Sequence, residues 1–171
     1  ITNGVNMIKK ITPIIFLLST SYAWAVNSPI TGTVQASCSI VTTTPGQYGV
    51  PNIWKLSTAA ADGGQDAVIK TTIGTADKYK VKITHPNSFS SSPSLSDTLA
   101  WTGSSVYTSG SVSGMSAYNA AKVVVGNQTT FDMTLAGTTF FTVASTASYG
   151  YNRAFPSGSY TAQIVAECIA K

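Results

Sequence analysis

Much of this chain is written at a period of two. The first case is ITGTVQASCSIV, Ile30 to Val41. Ile30, Gly32, Val34, Ala36, Cys38 and Ile40 fall on one side of an extended backbone, and Thr31, Thr33, Gln35, Ser37 and Ser39 on the other. Successive side chains of a strand point to opposite faces, so this pattern predicts a strand with one face turned to a core. The period returns in SYTAQIVAECIAK, where Tyr160, Ala162, Ile164, Ala166 and Cys168 oppose Thr161, Gln163, Val165 and Glu167. It also runs through KYKVKIT, where Tyr79, Val81 and Ile83 oppose Lys78, Lys80 and Lys82, the pattern of a strand with one wet face.

Between these segments no amphipathic helical period is found. Short runs with β-branched and aromatic residues alternate with Gly, Pro, Asn and Ser. Ile53–Ser57 reads as a short strand, Ala61–Asp66 as a loop or hairpin turn, and Ala67–Gly74 as a strand. His85–Ser96 is a loop, followed by moderately strand-like segments, and Gly114–Ala121 is a loop or one helical turn. A strand, a turn at Gly126-Asn127 and a second strand carrying Phe131, Met133 and Leu135 come next, and the pattern continues through TTFFTVAS. Ala147–Gly158 reads as an aromatic-rich loop. About seven to nine short strands at this spacing predict an all-β fold, an antiparallel sandwich.

The first part of the chain reads as processing signal rather than domain. Met7 looks like the start, with residues 1–6 upstream of it. Lys9 and Lys10, the apolar run Ile11–Leu18 and the small-x-small ending Ala23-Trp24-Ala25 form a secretory signal peptide over residues 7–25. Pro13 and the shortness of the apolar run argue against a membrane span. With Lys9 and Lys10 removed, formal counting leaves a net charge of about +2, too weak to point to nucleic acid. The high apolar content is enough to build a core.

An exported chain meets an oxidising compartment, so its two cysteines read as a disulfide. The competing readings are two free thiols and a half-built metal site, the latter short of ligands because His85 is the only histidine. Cys38 is in phase with the apolar face of the first strand and Cys168 with that of the last. A bridge between them closes a loop of about 130 residues, worth roughly 5 kcal/mol on the chain-entropy model.

Catalytic chemistry finds little support. His85 precedes Pro86 in a Ser-rich loop and reads as a solvated loop histidine. Gly110–Gly114, GSVSG, sets its serine one position off a nucleophile elbow and reads as a flexible turn. Glu167 is the only glutamate, and the aspartates are scattered. No phosphate loop, dinucleotide fingerprint or zinc spacing occurs. The expectation is a protein that is not an enzyme and carries no metal or cofactor. Tyr149, Tyr151 and Phe155 are either a carbohydrate-stacking patch or, the favoured reading, anchors that hold a loop to the sandwich.

A signal peptide followed by ITGTVQASCSIV, and the ending PSGSYTAQIVAECI, Pro156 to Ile169, together resemble a chaperone–usher fimbrial (pilus) subunit of Gram-negative bacteria. The resemblance covers both ends of the mature chain; the middle matches only in general character. It implies an immunoglobulin-like sandwich that lacks its last strand and is completed by a donor strand. It also implies three kinds of partner: neighbouring pilus subunits, a periplasmic chaperone and an outer-membrane usher. Localisation would be periplasmic in transit, then the surface fimbria, with a contribution to cell adhesion. On this reading residues 26–34 are the donor extension and residues 35–171 the domain. Ile30, Gly32, Val34 and Ala36 then contact a neighbour, while Tyr160, Ala162, Ile164 and Ala166 face the acceptor groove or the chaperone.

Two features depart from the family. Its second cysteine usually lies nearer the middle, which puts its usual disulfide geometry in question here. The extension is also short, since Val26 to Ala36 spans only about 36 Å when fully extended. The alternative reading is a secreted or surface-exposed lectin-like binding module with a complete sandwich.

Overall fold

The computed structural model describes residues 31, 33, 35–150 and 153–171. The chain divides into two compact units, Ile1–Thr33 and Val34–Lys171. Of the first, only Thr31 and Thr33 are described, both exposed. The signal-peptide segment and the expected donor residues Ile30, Gly32 and Val34 lie outside the described residues, as does Tyr151.

The second unit is a two-sheet antiparallel β-sandwich. Its strands in chain order are β1 (Cys38–Thr44), β2 (Gly49–Asn52), β3 (Lys55–Ser57), β4 (Ala67–Ile73), β5 (Tyr79–Thr84), β6 (Leu99–Gly110), β7 (Val123–Val125), β8 (Gln128–Met133), β9 (Gly137–Tyr149) and β10 (Val165–Ala170). The first sheet is organised by β9. Along one edge it takes β4 over Gly137–Val143 and then β3 over Thr146–Ser148; along the other it takes β6. β1 extends this sheet beyond β4, and β2 extends it beyond β3. The second sheet runs β10-β5-β8-β7.

Alternation places the core between the sheets. Val81, Ile83, Phe131 and Met133 come inward from the second sheet, and Ile69, Ile73, Phe141 and Val143 from the first. Phe131 and Phe141 meet at the centre with ring centroids 4.3 Å apart. Each such side chain contributes about 1.5–3 kcal/mol by leaving water. The connection after β6 seals one side. It forms a 3-10 turn, Ser113–Ala117, and one α turn, Tyr118–Ala121, that bury Met115 and Tyr118.

Several expectations are corrected. Ile53–Ser57 is not one strand: the Asn52 side-chain oxygen accepts from the Trp54 amide at 3.1 Å, an Asx-type turn that separates β2 from β3. Ala147–Tyr149 is not loop but the buried end of β9, held between Leu56 of β3 and Trp101 of β6. The moderately strand-like region after Thr98 is one continuous 12-residue strand, β6, because β9 offers it a partner along its whole length. The last strand begins only at Val165.

His85 is the clearest departure. It is buried at 3% exposure rather than solvated. Its backbone amide donates to the Asn127 carbonyl at 2.8 Å, and Asn127 Nδ2 donates back to its carbonyl at 2.8 Å. The ring lies across Gly103 of β6, where any Cβ would come within 2.5 Å of the imidazole Cγ. His85 Nε2 and Ser105 Oγ are 2.8 Å apart and share a hydrogen bond between the sheets. Burial depresses the imidazole pKa, opposed by a backbone hydrogen bond at Asn127 and reinforced by the nearby Lys122 charge.

Candidate binding groove

The seam between β1 and β10 is the most distinctive surface. β1 is paired only with β4, and β10 only with β5, so each presents an edge that carries no strand among the described residues. Cys38, the first residue of β1, is disulfide-bonded to Cys168 of β10, with Cα atoms 6.3 Å apart. The bridge therefore ties the two sheets along this seam. The expected pairing of the two cysteines is what the structure contains.

Beyond the bridge the strands diverge around a cavity of about 550 Å³. Ile40 and Val41 stand on one wall, with Ala162, Ile164 and Ala166 on the other. Its floor is Ala67 and Ile69 of β4, each only 4% exposed. Within the lining, Ile40, Ile164 and Ala166 are half-buried by strand alternation, while Val41 and Val165, which also border the cavity, are exposed. Gly46 and Ala162 are shared with a second cavity of about 430 Å³ lined by Tyr48, Leu56 and Tyr160. The two cavities adjoin as one groove of mixed polar and apolar lining, whose nearest wall residues, Ile40 and Ala166, each stand two positions from a bridged cysteine.

The expected groove residues fall on this surface in two ways. Ala166 belongs to β10, and Ile164 immediately precedes it. Ala162 sits where the two cavities meet. Tyr160 lies before the strand, beside Thr161, which bridges Ser91. Its ring joins an aromatic cluster, 5.1 Å from Phe89 and 5.2 Å from Phe155, and its hydroxyl donates to the Pro156 carbonyl at 2.6 Å. Burial raises the Tyr160 pKa. Ala36, the one expected donor residue that is described, is exposed and precedes β1.

The floor and far end of the groove were not singled out from sequence. Alternation in AVIKTTI marks Ala67 and Ile69 as inward, but nothing in it says that they face an open seam. Tyr48 carried no signal. Its hydroxyl is 2.9 Å from Ser145 Oγ, and burial raises its pKa, partly offset by that hydrogen bond.

Tyr149, at the end of β9, and Phe155 pack together as anchors. Tyr149 is buried at 2% exposure, stacks on Phe155 at 5.3 Å, and its hydroxyl accepts from the Ser96 amide at 2.8 Å. A different cleft, about 560 Å³, opens between the 85–98 loop and the start of β6. Trp101, Phe89, Asn87 and Asp97 line it.

Among the described residues, no group of three or more His, Cys, Asp or Glu side chains is placed to hold a metal ion. None of their helices is long and apolar enough to cross a membrane. No family model, characterised protein or solved structure matches the chain.

Proposed function

We infer that this chain is a structural subunit of a surface fimbria, exported to the periplasm and polymerised by donor-strand exchange. The observation that carries the reading is the β1–β10 seam: two strand edges without partners among the described residues flank a groove with the apolar side chains Ile40, Ile164 and Ala166 on its walls. An exposed edge beside apolar surface is a template for another strand. Addition of an extended segment satisfies the main chain, while alternate side chains fill the groove. The alternating extension Ile30 to Ala36 has the composition for that role. On this reading the extension of one subunit enters the groove of the next. A periplasmic chaperone covers the groove beforehand, an outer-membrane usher directs assembly, and the finished fimbria contributes to adhesion.

The test is the behaviour of the mature chain produced without a chaperone. It should form detergent-resistant oligomers, and deletion of Val26–Thr33 should abolish polymerisation while leaving the groove able to bind a chaperone or peptide. A mature chain that stays a cooperative monomer and is indifferent to the deletion overturns the reading.

The second reading, a lectin-like surface module, draws on the Trp101 cleft, where an indole lies beside the Asn87 amide and the Asp97 carboxylate. It requires a saccharide-dependent change in tryptophan fluorescence that is lost in Trp101→Ala. Titration with a panel of oligosaccharides producing no change removes it.

A further inference from the structure

We propose that the Cys38–Cys168 disulfide is the end-stop of the β1–β10 groove, limiting how much of an incoming strand the seam accepts. The proposal rests on the docking reading above and adds a boundary to it. Hydrogen-bonded strands lie about 4.8 Å apart, so a strand held between two others needs its neighbours roughly 9.6 Å apart. At the bridge the β1 and β10 Cα atoms are 6.3 Å apart. No backbone fits there. A disulfide holds its Cα atoms within about 6.8 Å, so the closure is enforced covalently and does not relax with breathing of the sheets.

Both strands are also tied to their own sheets beyond the bridge. The Gly74 amide donates to the Ser37 carbonyl at 2.9 Å, which holds the chain as it enters β1. At the end of β10, the Lys171 amide donates to the Lys78 carbonyl at 2.9 Å. The Lys171 ammonium pairs with both Asp77 and Asp132. These ties hold each strand in its own sheet; the seam itself is closed at the bridge and bordered by cavities from Ile40 toward Tyr48.

The open length can be read from the lining. Along the β10 side the lining runs from Ala166 back to Gly158. That is room for a strand of up to about nine residues, close to 30 Å. The seven-residue alternating segment Ile30 to Ala36 fits within that length. The occupant is therefore a segment of this kind from a second copy of the chain, and the bridge determines its register by blocking further slippage along the groove. Because strand alternation has a period of two, a one-residue slip would turn every apolar side chain out of the groove.

The experiment uses the mature chain lacking residues 26–33. Its probes are a synthetic peptide of residues 28–37 and the same peptide with Thr-Val-Thr added at one end or the other. Affinities are measured for the oxidised chain and for Cys38→Ser/Cys168→Ser. The oxidised chain should bind all three peptides equally, and the double variant should bind one extended peptide at least tenfold tighter than the parent. An extended peptide that gains affinity on the oxidised chain, or equal length dependence in both proteins, overturns the end-stop and leaves the docking reading intact. Failure of every peptide to bind the oxidised chain overturns the docking reading and the end-stop with it. Should the double variant not fold, hydrogen exchange on the oxidised complex decides. Protection gained on peptide binding should reach the Ala166 amide, on the free edge of β10, and be absent at Ala170; a gain at Ala170 overturns the proposal.

Discussion

The outer edge of β6 and the β1–β10 seam are finished in opposite ways. The outer edge of β6 is plugged. Asn119, on the short α turn, accepts from the Tyr107 amide at 2.7 Å and donates to the Tyr107 carbonyl at 2.9 Å, as a neighbouring strand would. Two residues along, Lys122 Nζ donates to the Ser105 carbonyl at 2.9 Å. The β1 and β10 edges have no such plug from the described residues. They are held together at one end by a disulfide and otherwise border a groove walled by Ile40, Ile164 and Ala166. Side-chain plugs and charges are how sheets protect edges from unwanted pairing. Among the described residues such a plug is found on β6 and not on the seam, which is what the proposed fimbrial reading requires.

The contrast can be broken most severely at the bridge. Cys38→Ser/Cys168→Ser removes the cross-link that closes a loop with a sequence separation of 130. Chain entropy sets the loss at about 5 kcal/mol, to be checked by denaturant unfolding of oxidised and variant chains. Next in size is Ile164→Asp in the groove wall. A strand docking there would have to desolvate a carboxylate, so peptide affinity should fall by about a hundredfold or more, measured by calorimetry. The plugged edge is opened by Asn119→Ala, which removes both hydrogen bonds to Tyr107. The expected cost is about 1–2 kcal/mol. Light scattering should also reveal new self-association, which Asn119→Gln partly prevents.

The smallest effect is pH dependence near β6. His85 is depressed by burial, so the unfolded state binds a proton before the folded state does. Its contribution to stability is full above the ordinary histidine range and is lost as pH falls through the depressed folded value. Unfolding midpoints should therefore drop on acidification below pH of about 6.5. The component assigned to His85 should vanish in His85→Gln.

Much of this architecture was legible because alternation is a local property. Val81, Ile83, Phe131 and Met133 declare their faces by period alone, and Cys38 and Cys168 declare theirs the same way. The turn at Gly126-Asn127 is legible for a similar reason: Gly126 adopts φ 57°, which glycine accepts without strain. His85 misled because its own neighbours, Pro86 and a run of serines, describe a loop. What buries it is Gly103, 18 positions away, whose missing side chain makes room for the ring. Tyr160 misled in a related way. It keeps the strand period but is drawn to Phe89 and Phe155, partners that periodicity does not reveal. The split of Ile53–Ser57 turned on one Asn52 side-chain acceptor, a signal present in the sequence but weaker than the strand propensity around it.

The sequence by itself determined an all-β antiparallel sandwich, the inward faces of its strands and the in-phase placement of two cysteines. These follow from backbone geometry, where side chains alternate whatever the rest of the molecule does. Only the tertiary structure decided which strands would be edges, which edge would be plugged and where the seam would close. Those outcomes depend on contacts between residues far apart in the chain. Asn119 meets Tyr107 only because the 3-10 and α turns fold back beside β6. Cys38 meets Cys168 only because β1 and β10 end up on facing sheets. No local pattern encodes that proximity.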